Sequence, residues 1–336
     1  MIQILGTAPL ERGGELTVKV VEPPEPEYAE KLAHFLEHKG DASRRAIVAR
    51  LNGKYADCCV DRYFVGELDG VIAGQLWYGY GRTRTGVANF GHVYTEPAHR
   101  GKGITSVLMR FFIQDFNAGP AKAALCGAGK PWVASIYLKH GFQTVRRGAD
   151  CGDLALLKPI GAVTFADFER DYYATGAAAA VVAGTMAHRH DVDKLLAIAM
   201  KERGAATTRV AMAWPVRSFE DAIFRSEDGG GLVTALVAAD DRVLGWAFVL
   251  NTGSPLEAMS KVLDYEVHPN YAGMADDLVA GTLRLAREQG LGQVYAFAPS
   301  SEEAKTAALR RCGFGEAARL GGYCGAGDLA ILRHEP

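Results

Sequence analysis

The stretch from Val93 to Thr105 constrains this chain more than any other. An extended run, Val93-Tyr94-Thr95, stops at Pro97, which has no amide hydrogen to give to a β-ladder. Gly101 and Gly103 follow. Apolar residues then recur at three- and four-residue steps, at Ile104, Val107, Leu108, Phe111, Phe112 and Phe116, which is the buried face of a helix. The order is strand, glycine turn, helix. Glycines let the backbone bend so that amides converge where a helix presents its unpaired N–H groups and positive dipole end. Such a turn suits a phosphate, and Arg100 and Lys102 add positive charge to it. It is neither a G-x-G-x-x-G dinucleotide fingerprint nor a G-x-x-x-x-G-K-[ST] loop.

The segment Thr95-x-Pro97-x-x-Arg100-x-x-Gly103-x-Thr105 resembles the signature V-x-P-x-x-[RQ]-x-x-G-x-[GA] of the GNAT N-acetyltransferase superfamily, with Thr105 where glycine or alanine is usual. A second segment, Ala134-Ser135-Ile136-Tyr137-Leu138-Lys139-His140-Gly141-Phe142, is similar to that family's A-x-x-[LI]-Y-x-x-x-G-F. The same residues read independently as a helix closed by Gly141 at its C′ position. Pro131 stands where the family has an asparagine, which removes one expected pantetheine contact. The resemblance implies acetyl-CoA as co-substrate, with Arg100, Gly101, Lys102, Gly103, Ile104 and Thr105 around the pyrophosphate. It also implies that Val93, Tyr94 and Thr95 pair with the pantetheine as an added strand.

The chain then repeats itself. Pro97 and Pro269 are 172 residues apart, and so are Gly141 and Gly313. Two hairpins match as well, one turning at Asp69-Gly70 and one at Asp240-Asp241. A period this long marks duplicated domains rather than a solenoid. The expected fold class is α+β (mixed α/β), in two GNAT-like domains, each a twisted, largely antiparallel sheet flanked by helices. Residues 1–160 form the catalytic domain, 161–176 a linker and 177–336 a second copy. Within the first domain, residues 1–15 read as an extension, Leu16 to Val21 as a strand, the Pro-Glu-rich stretch Glu22 to Glu27 as the opening of a helix that runs to about His38, and Ser43 to Leu51 as another. At the same offset Arg100 becomes Ala272, Gly103 becomes Ala275, Thr105 becomes Asp277 and Tyr137 becomes Leu309. Asp276 and Asp277 would set like charge against a diphosphate. The second copy therefore reads as degenerate, unable to bind coenzyme A and left to pack against the first.

The 336 residues suit two domains of ordinary size. A net charge of −2 gives no pull toward nucleic acid or an anionic membrane. No apolar run reaches the length of a membrane span, and the N-terminus lacks a basic-then-apolar leader pattern. Six cysteines without C-x-x-C spacing are expected as reduced thiols in a cytoplasmic protein that holds no metal. The composition is compatible with a homo-oligomer.

Acetyl transfer to an amine requires that the ammonium lose a proton, the tetrahedral oxyanion be steadied and the thiolate be protonated. Tyr137 is the candidate acid. His92, which titrates near neutrality, is the candidate base, with Glu96, Tyr94 and a water relay as rivals. A backbone amide of residues 93–95 is the expected oxyanion donor. Trp77, Tyr78, Tyr80, Arg82 and Arg84 read either as the acceptor pocket or as a solvated loop. His188-Arg189-His190-Asp191 resembles a metal cluster only superficially, with Asp191 expected as a helix N-cap. The resemblance implies direct attack in a ternary complex on a primary amine; small amines, amino acids, antibiotics and protein N-termini are all compatible acceptors, and a small-molecule amine is the expected partner. A non-catalytic acyl-CoA sensor and a Fem-type aminoacyl or peptidyl transferase are the competing readings.

Overall fold

The computed structural model describes residues 1–146, 152–202, 216, 218–251, 261–324 and 327–334. The chain divides into two compact units, Met1–Phe168 and Glu169–Pro336.

The first unit is built on an eight-stranded sheet. Its strands are β1 (Ile2–Pro9), β2 (Glu15–Val21), β3 (Cys59–Leu68), β4 (Val71–Gly81), β5 (Val87–Thr95), β6 (Ala123–Gly127), β7 (Gln143–Arg146) and β8 (Asp153–Leu157), in the spatial order β1-β2-β3-β4-β5-β6-β8-β7. Every neighbouring pair is antiparallel except β5 and β6. Successive residues of a strand point to opposite faces, and the two cores follow from that. Val21, Tyr63, Val65 and Trp77 pack on α1 (Pro26–Phe35) and α2 (Asp41–Leu51). Val20, Phe64, Leu76, Tyr78 and Phe90 pack on α3 (Ile104–Ala118) and α4 (Pro131–Lys139). The β3–β4 hairpin turns at Asp69 and Gly70, both with positive φ (49° and 80°), as an Asp-Gly turn of this hand requires.

Helix α5 (Phe165–Tyr172) spans the unit boundary and lies inside the stretch read as a linker. The second unit contains β9 (Ala179–Ala183), α6 (Ala197–Glu202), α7 (Phe219–Gly229), β10 (Leu232–Ala238), β11 (Val243–Asn251), β12 (Lys261–Val267), α8 (Ala275–Glu288), β13 (Val294–Pro299), α9 (Glu303–Arg311), β14 (Gly315–Cys324) and β15 (Gly327–His334). Its strand order, β9-β10-β11-β12-β13-β15-β14, is the order β2-β3-β4-β5-β6-β8-β7 over again. Gly141 and Gly313 end their helices at φ 91° and 92°, so the duplication extends to individual backbone torsions. Both units are mixed α/β, as the sequence predicts.

Several expectations are corrected. Residues 1–15 are no loose extension: β1 pairs with β2 from Ile2↔Val21 to Pro9↔Glu15. The first helix begins at Pro26, within the Pro-Glu stretch, and ends at Phe35 rather than near His38. Trp77, Tyr78 and Tyr80 do not gather in a pocket. Trp77 is buried against α1 and α2, whereas Tyr78 and Tyr80 belong to the α3 core, on the other face. Asp191 is not an N-cap: it accepts a hydrogen bond from the Tyr172 hydroxyl at 2.5 Å, and the cap of the preceding turn is Thr185.

Candidate active site

Strands β5 and β6 pair in parallel only over Val87–Asn89 and Ala123–Leu125. Beyond Asn89, β5 continues to Thr95 without β6 beside it, so the two strands open into a wedge. The half-buried backbone there has no β6 ladder partner. The wedge holds a cleft of about 320 Å³. Of the residues expected around a cofactor, Val93, Tyr94, Thr95, Arg100, Gly101, Gly103, Ile104 and Thr105 line it, and so does Tyr137; Lys102 and His92 do not.

The glycine turn has the geometry its composition predicts. Gly101 and Gly103 sit at φ 73° and 83°, in the left-handed region, and Gly103 caps the N-terminus of α3. Thr105, the departure from the signature, shares a hydrogen bond with the Thr95 hydroxyl at 3.0 Å, which ties the strand end to the first helical turn. Arg100 donates from Nε to the Thr95 carbonyl at 3.2 Å and lies 5.8 Å from the Tyr94 ring centre. The Lys102 amine stands 3.3 Å from His99 Nδ1.

Strand β5 carries a bulge just above the turn. Gln75 pairs with Tyr94 and Trp77 with Gly91, so Leu76 alone faces both His92 and Val93. His92 has φ 53°, a left-handed torsion unusual for its type. Simple strand alternation is therefore broken at His92. Its ring sits 5.4 Å from the Trp77 ring, on the α1–α2 side of the sheet, while Val93 faces the cleft. The His92 carbonyl accepts from the Gln75 amide, which fixes the bulge from β4. Glu96 and Tyr94 are placed differently. Glu96 opens the turn at Pro97, and Tyr94 is packed edge-on to Phe35 and against His38.

Tyr137 is buried between Phe90 and Phe142, with ring centres at 5.4 and 5.6 Å. Burial, and secondarily the nearby Cys126 thiol, push its phenol above the ordinary value of 10.0. It stays protonated at any neutral pH. Trp132, Val133 and Ile136 line the same cleft, and the sequence reading passed over them. The signal was present: Val133 and Tyr137, and beside them Trp132 and Ile136, are i,i+4 pairs on one helix, so the four form one broad stripe. Trp132 is 62% exposed at the cleft, an unusual position for an indole.

Comparison with known proteins agrees with this geometry. Residues 60–144 match the family model of the acetyltransferase (GNAT) domain. A search of curated proteins returned no significant match. Among solved structures, the chain is similar to an N-acetyltransferase from Staphylococcus aureus Mu50, at 18% identity over 47% of this chain and 99% of that one, with a TM-score of 0.38. It is also similar to a Salmonella typhimurium protein described as an acetyltransferase with its cofactor acetyl-CoA, at 16% identity over 47% and 94%, with a TM-score of 0.38. A third is a spermidine N-acetyltransferase variant from Vibrio cholerae, at 14% identity over 46% and 94%, with a TM-score of 0.35. Residues 60–144, within the first unit, thus carry the match to a GNAT acetyltransferase domain. No helix among the described residues is long and apolar enough to cross a membrane.

Proposed function

We propose that the protein transfers an acetyl group from acetyl-CoA to a primary amine of a small molecule, by direct attack in a ternary complex. The observation that carries the proposal is the wedge between β5 and β6, which brings an unpaired strand edge, a left-handed glycine turn and the buried Tyr137 phenol to one cleft. The amides around Gly101–Thr105, with Arg100 and Lys102, hold the diphosphate at the N-terminus of α3. Residues Val93 to Thr95 offer their backbone to the pantetheine, and an amide of the bulge steadies the oxyanion. Tyr137 protonates the departing thiolate. His92, on the other face of the sheet, takes the proton of the incoming ammonium.

The second unit does not bind coenzyme A on this reading. Its candidate turn has helical Ala275 in place of Gly103, and its candidate acid is the fully buried Leu309.

Calorimetry with acetyl-CoA is expected to show one site per chain, and an amine panel followed by thiol release to show turnover. Tyr137→Phe is expected to lower kcat roughly 10- to 1,000-fold with little change in cofactor affinity. Because the phenol is raised above 10.0, wild-type rates should show no alkaline loss attributable to Tyr137 below that pH. The variant should therefore run parallel to wild type there. Binding without thiol release from any amine would leave only the sensor reading, and wild-type rates in Tyr137→Phe would remove the acid.

A further inference from the structure

The hairpin between β1 and β2 turns at Leu10 to Gly14, and its tip rests on the glycine turn. Leu10 is buried in the α3 core, and the Glu11 amide donates to the Lys102 carbonyl at 3.3 Å. A Cβ placed on Gly101 would lie 3.6 Å from Arg12 Nη1, and one placed on Gly103 would lie 3.0 Å from Glu11 Oε1. Both glycines line the cleft. The Arg12 guanidinium therefore stands beside the turn that lines the cleft, within contact distance of a side chain placed on Gly101.

Charge gives this placement its meaning. Arg12, Arg100 and Lys102 converge on one turn, and none has a carboxylate within 4.0 Å among the described residues. The Arg12 side chain has no hydrogen-bond partner there either. Glu11 stands beside the turn as well, 3.0 Å from where a Gly103 Cβ would lie, and its carboxylate is not bonded to the turn's amides. A tip fixed through its core residue and its backbone, but with its cation unpaired beside a left-handed glycine turn, presents that cation to an anion.

We propose that Arg12 is a further cofactor-binding residue, supplied by the N-terminal hairpin, whose guanidinium contacts the diphosphate of the bound nucleotide. Arginine suits the role, since its planar fork matches two phosphate oxygens at once. Glycine at 101 keeps the approach open, because a side chain there would stand between guanidinium and turn. The inference rests on the reading of the cleft as a diphosphate site.

Calorimetry of wild type and Arg12→Ala with coenzyme A, 3′-dephospho-coenzyme A and pantetheine tests it. Arg12→Ala is expected to weaken both nucleotides roughly tenfold and leave pantetheine unchanged, and Arg12→Lys to recover part of the loss. Unchanged nucleotide affinity in Arg12→Ala overturns the inference and leaves the cleft reading intact. A loss confined to coenzyme A moves the contact to the 3′-phosphate and overturns the diphosphate assignment. An equal loss with pantetheine marks Arg12 as merely structural, as a lowered melting temperature would confirm. Failure of wild type to bind any of the three defeats the cleft reading, and this inference with it.

Discussion

The two wedges of the molecule differ most where each is narrowest. In the first unit β5 is bulged, so that Leu76 faces two residues and His92 turns left-handed. In the second, β12 pairs with β11 without a break from Lys261↔Asn251 to Val267↔Gly245. The counterpart of His92 is Asp264, which lies in ordinary strand geometry. Its carboxylate accepts the Tyr265 amide at 2.8 Å and pairs with the amine of Lys305 on α9. The strand edge left open in the first wedge is thus partly satisfied from within in the second. The wedge itself survives, since β12 and β13 pair only over Lys261–Leu263 and Val294–Ala296, and a cleft of about 450 Å³ remains. A fold can keep its cavity after exchanging the groups that would hold a ligand there for groups that hold each other.

The charge on the second turn follows the same pattern. Asp276 does not simply repel a diphosphate, as the sequence suggests. Arg311 engages both of its oxygens at 2.5 and 2.8 Å and holds its carboxyl below the usual range. Lys139, the residue 172 positions earlier, has no such partner among the described residues, and Gly103-Ile104-Thr105 offers no acid.

The largest test of this contrast is Lys305→Met. Lys305 and Asp264 are 13% and 5% exposed at their side chains, and removing the cation strands a buried carboxylate. Unfolding in urea is expected to show a loss of about 3 kcal/mol, with acetyl-CoA binding unchanged. Adding Asp264→Asn should recover much of that loss. A drop in cofactor affinity in Lys305→Met would mean that the second wedge takes part in binding.

Next comes an exchange at the two helix starts. Gly103→Ala places a side chain at φ 83° and should cost about 1 to 2 kcal/mol, with weaker acetyl-CoA binding on calorimetry. The reverse change, Ala275→Gly, sits in helical backbone and should cost about 1 kcal/mol or less, by loss of helix propensity alone. Equal stability in Gly103→Ala would deny that the left-handed torsion distinguishes the turns. The smallest effect belongs to Arg311→Ala. Both partners of this ion pair are substantially exposed, and the melting temperature should hardly move. A large shift would make the surface bridge a structural element of the second unit.

Much of this was legible in the sequence because local rules carried it. Asp69-Gly70 fixed a hairpin, Gly101 and Gly103 a left-handed turn, the Ile104-to-Phe116 periodicity a buried helix face, and the constant offset of 172 residues a second unit of the same strand order. Each depends on residues close in the chain, or on a repeat visible by counting. Tertiary structure alone decided the rest. The β1 strand needed β2 to pair with before its Gly- and Pro-containing run became a strand. The bulge at His92 exists only in the register of β5 against β4, and a one-residue shift there reverses which side chains face the cleft. Arg12 meets Gly101 across 89 residues of chain because a hairpin tip and a helix start share one end of a sheet, an adjacency that arises when strands are ordered in space and that no spacing in the sequence records.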